Sequence, residues 1–283
     1  MQHRKMYIAA NISLVMLLGF VLVVASCKKS APQASKPASV QAPKAETPAP
    51  KPVAKPDANV AAVPKPAVVQ PDANAAAAQP KPAGDVEPIP LVLPKPRFTG
   101  TPERIQGITN LEKPLGRARD PFYAPKWTTN VALGKPATGS DEQPIIGEIK
   151  MITDGDKEAT DGSYVELGPG KQYVTIDLGA PHSIYAIVMW HYHKQPRVYK
   201  DVIVQVSDDP DFITNVRTVF NDDDDNSSGL GIGSDKSYVE TAEGKLIDAK
   251  GVVARYVRCY SNGNSSNDMN NYTEVEVYGL PAK

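Results

Sequence analysis

The last part of the chain alternates between apolar and polar side chains with a period of two, which predicts β-strands. Residues 273–279 read TEVEVYG, and Val275 and Val277 fall on one face of the expected strand. The preceding run, ARYVRCYS, places Val257 and Cys259 on one face. We predict that both runs are half-buried strands. The segment rich in Asn and Ser between them is then a surface loop.

Further runs with strand patterning follow residue 130, and turn residues separate them. They cover residues 173–178, 183–193, 201–207 and 216–220. A helical repeat of ten residues does not occur between them. Many short strands with turns between them are typical of a β-sandwich or a jelly roll. We therefore predict an all-β fold.

Three motifs, in order along the chain, carry a resemblance to a known family. Residues 130–140 read NVALGKPATGS, residues 152–156 read ITDGD, and the closing strands read ARYVRCYS and EVEVYG. This set resembles the discoidin domain, also called the coagulation factor 5/8 type C domain, and its galactose-binding-like relatives in carbohydrate-binding module family 32. The resemblance implies a discoidin-type jelly-roll β-sandwich over residues 130–280.

The composition differs ahead of this domain. Residues 28–96 contain no Phe, Tyr or Trp and hold 16 of the 27 prolines. Because such a segment cannot bury a core, we predict that residues 27–96 are a disordered linker rich in Pro, Ala and Lys. A second interpretation is that its lysines bind an anionic cell-wall polymer.

Aromatic residues return over residues 97–129, at Phe98, Phe122, Tyr123 and Trp127. Pro and Gly are too frequent there for long regular elements. We expect this N-terminal arm to pack across the outside of the domain. The alternative is a disordered arm.

The first 26 residues have the pattern of a targeting segment, a basic start followed by an apolar run over residues 8–25. The run ends in Val-Ala-Ser directly before Cys27, which resembles a bacterial lipobox. The resemblance implies a signal peptide over residues 1–26, lipidation of Cys27 and an exported, membrane-anchored lipoprotein that faces the periplasm or the cell surface. An uncleaved anchor is the alternative, since about 20 apolar residues span a bilayer.

The charge of the chain and its motifs argue against two classes of function, nucleic-acid binding and catalysis. Residues 97–283 hold 20 Lys and Arg against 27 Asp and Glu, and an acidic domain argues against a nucleic-acid partner. The sequence contains no nucleophile elbow, zinc-protease motif or phosphate loop. We therefore expect a protein that is not an enzyme.

The loop at residues 151–162, MITDGDKEATDG, is rich in carboxylates, which are the hard oxygen ligands that Ca²⁺ prefers. In many family-32 relatives this loop and the first glutamate of the final strand hold a structural calcium. The resemblance therefore implies a calcium site at Asp154, Asp156, Thr160 and Glu274. The alternative is a turn with solvated acids. A second cation site in the run of residues 222–225 also stays open, although like charges in a row usually form a solvated loop.

A histidine, an arginine, an asparagine and an aromatic platform bind sugar in the family-32 relatives. The resemblance implies a matching set of ligand residues here: His191, His193, Arg197, Tyr199, Asn264, Asn267 and Asn270. His191 and His193 lie two apart on a predicted strand and therefore share a face. The alternative is that the histidines form hydrogen bonds within the sheet and that Arg197 pairs with an acid.

We therefore expect an envelope-tethered lipoprotein whose module binds a glycan, such as a cell-envelope polysaccharide. The alternative is a structural or protein-interaction module without a sugar site. The two hypotheses differ in whether His193, Arg197 and the asparagines of the closing loop converge around an exposed aromatic side chain.

Overall fold

The computed structural model of the chain describes residues 84–97, 105 and 107–283, all within one compact unit, Asp72–Lys283. The expected signal peptide, Cys27 and most of the expected linker lie outside the described residues. Within the described part, no helix is long and apolar enough to cross a membrane.

The described residues form ten strands and one short 3-10 helix, and every pairing between strands is antiparallel. This confirms the predicted all-β fold. The 3-10 helix is Ile149–Thr153, and the strands are β1 Val86–Pro88, β2 Tyr123–Pro125, β3 Thr129–Asn130, β4 Ala137–Gly139, β5 Val165–Leu167, β6 Gln172–His191, β7 Ile203–Ser207, β8 Arg217–Asn221, β9 Lys245–Ser261 and β10 Asn270–Pro281.

The two longest strands, β6 and β9, contribute to both layers of a sandwich. The first half of β6 pairs with β4 and with the second half of β9, and β7 and β8 extend that layer. The second half of β6 pairs with the first half of β9 and with β10, which also pairs with β3 and β5. This is a jelly-roll arrangement.

A bend in β6 connects the two layers. The register of the β6–β9 ladder shifts between Asp177 and His182, and Gly179 there has a φ of 84°, a conformation that glycine adopts without steric cost. The sequence predicts separate strands at residues 173–178 and 183–193. The structure joins them because the backbone continues in extended form on both sides of the bend, and β6 ends at His191.

One apolar core lies between the layers. Alternate positions of the strands supply it, as the period of two predicts. Val174, Ile187, Val257 and Val275 come from three different strands and are all 0 % exposed. Cys259 lies in the same core, where burial raises the pKa of its thiol to about 12.

A second apolar cluster covers the outer face of the layer that contains β10. Val188, Trp190 and Tyr278 point away from the main core and pack with Ile89 and Ala124 from the segments around β1 and β2. This packing explains why the second half of β6 reads as a continuous apolar run rather than an alternating one.

The final strand is buried more completely than the sequence predicts. Glu274, Glu276 and Tyr278 occupy the face that we expected to be polar and exposed, yet they are 0 %, 5 % and 1 % exposed. The prediction was wrong because segments distant in sequence cover this face. In the loop of residues 151–162, the backbone N–H of Gly155 donates to Glu274 and the side chain of Lys157 donates to Glu276.

The N-terminal boundary also differs from the prediction. Val86–Pro88 lies within the expected linker of residues 27–96, but it pairs with β2, and Ile89 next to it is buried. The aliphatic Val86, Ile89 and Leu91 supply an apolar surface that a count of aromatic residues does not detect. The linker prediction extends too far at this end.

Candidate functional site

His191 lies in the interior of the sandwich. Its side chain is 0 % exposed, its Nδ1 lies 2.6 Å from Oε1 of the buried Glu240, and its ring stacks on Tyr199 with 4.1 Å between centroids. A ligand at the surface does not reach it. The prediction that His191 binds a ligand is therefore replaced by a role in the core, because the segment that contains Glu240 covers this end of β6.

His193 has a different partner and does not share a site with His191. It is 0 % exposed, and its Nε2 lies 2.8 Å from the carbonyl oxygen of Lys157. The contact ties the end of β6 to the acidic loop of residues 151–162. We therefore correct the expected role of His193 from ligand binding to holding that loop.

The asparagines of the closing loop shape the loop itself. Asn264 is 2 % exposed, and its Nδ2 donates to Oδ1 of Asn267 at 2.7 Å and to the carbonyl oxygen of Met269 at 2.8 Å. Asn270 is 0 % exposed and donates to the carbonyl oxygen of Gly168 at 2.8 Å. Only Asn267 is exposed, so these residues do not form the expected binding set.

Arg197 is the predicted residue that meets an aromatic ring at the surface. Its guanidinium lies over the ring of Tyr192, 4.7 Å from the centroid, and Tyr164 packs edge-on against the same ring at 5.1 Å. Tyr164, Tyr192 and Arg197 are each half-buried. We call them, with Glu166 and Gln195, the tyrosine–arginine surface.

A buried asparagine holds this surface from below. Asn271 is 1 % exposed, its Oδ1 accepts from Nη1 of Arg197 at 3.3 Å, and its Nδ2 donates to Oε2 of Glu166 at 2.9 Å. The same Oδ1 accepts from the hydroxyl of Tyr199 at 2.9 Å. Tyr199, expected to contact ligand, is 1 % exposed and therefore acts on this surface only through Asn271.

Sequence reasoning missed Tyr192, although the signal was available. Side chains alternate across a strand, so a residue between two histidines of one face points to the other face. Because His191 and His193 point inward, Tyr192 must point outward. Tyr164 and Glu166 gave no comparable signal, since β5 is only three residues long.

The expected calcium loop contains one carboxylate whose hydrogen bonding is incomplete. Glu274 accepts from the backbone N–H of Gly155 at 3.2 Å through Oε2, whereas its buried Oε1 has no hydrogen-bond partner within the described part of the chain. Burial, together with the nearby charges of Glu276 and Asp154, raises the pKa of Glu274 to about 9. A cation beside Oε1 would satisfy this atom.

The other expected calcium ligands make local contacts. Oδ1 of Asp154 accepts from the N–H of Asp156 at 2.9 Å, and the hydroxyl of Thr160 lies 3.0 Å from that of Ser163. Asp154, Asp156 and Glu274 are not among the groups of three acids that the described residues bring within reach of one ion. A metal here would therefore depend on backbone oxygens as well, which Ca²⁺ accepts.

Comparison with known proteins finds similar solved structures. The CBM32 of AlyQ in complex with 4,5-unsaturated mannuronic acid is 21 % identical, with 50 % of this chain and 92 % of that chain covered and a TM-score of 0.38. A fucose binding module of Streptococcus pneumoniae, SpX-3, is 19 % identical, with 53 % and 96 % covered and a TM-score of 0.38. Chitosan-binding module 1 from a chitosanase/glucanase of Paenibacillus sp. IK-5 is 23 % identical, with 53 % and 98 % covered and a TM-score of 0.36.

No family model and no curated protein matches the chain. Similarity at these sequence identities and TM-scores does not indicate a function. The function proposed below therefore depends on the side chains of this protein.

Proposed function

We propose that this chain is a non-catalytic carbohydrate-binding module and that the tyrosine–arginine surface is its binding site. The observation that carries the proposal is the arrangement of Arg197 against Tyr192, with carboxylate and amide groups beside it. Of the residues whose convergence would distinguish sugar binding from protein interaction, Arg197 alone meets half-buried aromatic rings here, whereas His193, Asn264 and Asn270 are buried elsewhere.

The chemistry of this surface suits sugar hydroxyls. A hydroxyl both donates and accepts hydrogen bonds. Arg197 offers donors, Glu166 offers acceptors, and Gln195 offers both within 3.5 Å of the guanidinium. The flat rings of Tyr164 and Tyr192 supply apolar area against which the C–H face of a pyranose packs.

The donors and acceptors are also fixed before a ligand arrives. Asn271 holds Arg197 and Glu166 at once, and stacking on Tyr192 restrains the guanidinium further. Groups that are already positioned lose less entropy on binding, which favours affinity from a small contact area.

The test is a glycan array probed with the full chain and with two tyrosine variants. We expect binding to a defined sugar class that Tyr192→Ala abolishes. Tyr185→Ala is the matched control, since Tyr185 is a half-buried tyrosine of β6 that is not part of the tyrosine–arginine surface. Equal binding by the wild type and Tyr192→Ala would move the site elsewhere. A folded wild type that binds no glycan would favour the protein-interaction alternative.

We also propose that the loop of residues 151–162 binds a structural Ca²⁺ with Glu274. The unpartnered Oε1 of Glu274 supports this proposal. At a calcium concentration 100 times the dissociation constant, such an ion adds about 2.7 kcal/mol to the free energy of unfolding.

Thermal melts with calcium and with a chelator test the calcium site. We expect the chelator to lower the melting temperature of the wild type and of Glu142→Gln, a control at an exposed glutamate. Glu274→Gln should show a smaller change in melting temperature than either of them. If the chelator does not change the melting temperature of the wild type, the proposal of a calcium site is wrong.

We also propose that a lipid on Cys27 anchors the protein in a membrane. Cys27 and the expected signal peptide lie outside the described residues. Expression of the full chain in a bacterium with lipoprotein processing, followed by membrane fractionation, tests it. We expect the wild type in the membrane fraction and Cys27→Ser released from it. Equal membrane retention of Cys27→Ser would favour the uncleaved anchor.

A further inference from the structure

Three aspartates outside the sites described above come together at one end of the sandwich. Asp201, Asp223 and Asp225 each place one carboxylate oxygen so that all three oxygens lie within 4.8 Å of one another. Two oxygens bound to one Ca²⁺ lie no more than about 5 Å apart, because each Ca–O distance is about 2.3 to 2.6 Å. The three side chains are therefore within reach of a single ion.

Hydrogen bonds from two segments distant in sequence hold the carboxylates of Asp201 and Asp223 in place. Asp223 is 0 % exposed and accepts from the backbone N–H groups of Ser227 and Ser228, each at 3.0 Å. Oδ2 of Asp201 accepts from Nδ2 of Asn262 and from the hydroxyl of Ser227, each at 2.7 Å. The positions are thus fixed by hydrogen bonds to neighbouring groups.

An independent observation comes from Asp222, which is 3 % exposed. Its Oδ1 accepts from the N–H of Val202 at 2.6 Å, whereas its Oδ2 has no hydrogen-bond partner among the residues that the structure describes. Asp222 lines the same cavity, of about 550 Å³, as Asp201 and Asp225. A buried carboxylate oxygen without a donor costs free energy unless a cation or a water satisfies it.

The charges around this cavity favour a cation. Among the described residues that line it, five are aspartates, Asp201, Asp222, Asp224, Asp225 and Asp268, and one is a lysine, Lys200. Lys171 lies close by, but its Nζ donates to the carbonyl oxygen of Ser228 at 2.6 Å. The acids therefore outnumber the bases where an ion would enter.

We propose that Asp201, Asp223 and Asp225 bind a divalent cation of the calcium class beside this cavity. The hard carboxylate oxygens suit Ca²⁺, which accepts irregular coordination and keeps water ligands. The run of residues 222–225, usually interpreted as a solvated loop, then contributes to a binding site. This site shares no residue with the loop of residues 151–162 and does not depend on it.

Calorimetric titration of the full chain with Ca²⁺, after chelator treatment, tests the proposal. We expect Asp201→Asn and Asp225→Asn each to lose one bound equivalent relative to the wild type. Asn is a suitable replacement at position 201 because it tolerates the positive φ of 51° found there. Asp211→Asn is the control, since it removes the same charge from an exposed aspartate that does not line the cavity. It should retain every equivalent.

This titration distinguishes the calcium site proposed here from the one proposed at Glu274. If the site at Glu274 does not exist, the wild type binds one fewer equivalent, and Asp201→Asn still removes the equivalent assigned here. Wild-type stoichiometry and affinity in both Asp201→Asn and Asp225→Asn would overturn the inference. Circular dichroism in chelator shows whether each variant is folded, and the exposed Asp225 provides a readout if Asp201→Asn is not.

Discussion

His191 and Arg197 lie six positions apart in the sequence, yet one belongs to the core and the other to the surface. His191 is 0 % exposed and is paired with Glu240, whereas Arg197 is half-buried and lies over Tyr192. Both residue types bind sugars in proteins, so residue type alone does not separate them. Their surroundings decide which of them a ligand can reach.

The largest effect that this comparison predicts is on stability. His191→Ala removes the hydrogen-bond partner of Oε1 of the buried Glu240 and the ring that stacks on Tyr199. A buried polar group left without its partner costs about 1 to 3 kcal/mol, and the cavity left by the ring adds to this loss. We expect urea unfolding to show a loss of this size. His182→Ala, at a half-buried histidine of the same strand, is the control and should cost about 1 kcal/mol. A His191→Ala variant as stable as the control would contradict the assignment of His191 to the core.

The next effect is on binding. Arg197→Ala should weaken glycan binding at least about tenfold, which is about 1.4 kcal/mol, with a smaller effect on stability. Titration with the sugar class found on the array measures it. Arg217→Ala removes an exposed arginine of β8, in the other layer of the sandwich from β5 and β10, and should bind as the wild type does. If Arg197→Ala loses stability but still binds glycan, Arg197 has a structural role, as His191 does, and not a role in binding.

Tyr199 connects the two regions, since its ring stacks on His191 and its hydroxyl donates to Asn271. Tyr199→Phe keeps the stacking and removes the hydrogen bond. We expect a loss of about 1 kcal/mol in the free energy of unfolding. Glycan binding should fall by less than in Arg197→Ala, because Asn271 is held less firmly under Arg197. Unchanged binding together with the stability loss would mean that the hydroxyl of Tyr199 is not needed to hold Asn271 under Arg197.

The smallest effect belongs to Lys194, which lies between the two regions in sequence. Its Nζ is 3.6 Å from Oδ1 of Asp161, whose side chain is 98 % exposed. Exposed pairs of this kind contribute little, so Lys194→Ala should change unfolding and binding by no more than about 0.5 kcal/mol each. A larger change in binding would extend the ligand site to Lys194.

The sequence predicts the sandwich well because, along its long strands, the apolar positions of the period-two pattern are the positions that are buried in the main core. Val257, Cys259, Val275 and Val277 all lie in the main core, as their period of two indicates. The same reasoning fails for Glu274 of the final strand. Which segment covers the outer face depends on contacts between distant parts of the chain, and a local pattern does not contain that information.

The candidate site was harder to predict for the same reason. The resemblance supplies residue types, and of these Arg197 lies beside an aromatic ring, although that ring belongs to Tyr192 and not to Tyr199. It does not predict that His193 and Asn270 bond to backbone groups of other loops, or that Asn264 bonds within its own loop. Short elements such as β5 carry too few residues for a pattern, so Tyr164 could not be recognised.

The cover over Trp190 has a practical consequence for dividing the protein into fragments. Ile89 and Ala124 lie ahead of residue 130, where the family-like motifs begin, and they seal the outer face of the sheet. A fragment trimmed to the motifs would leave Trp190, Val188 and Tyr278 facing water, and exposed apolar patches promote aggregation. Excision should therefore be made before Val86, where the first strand of the described residues begins.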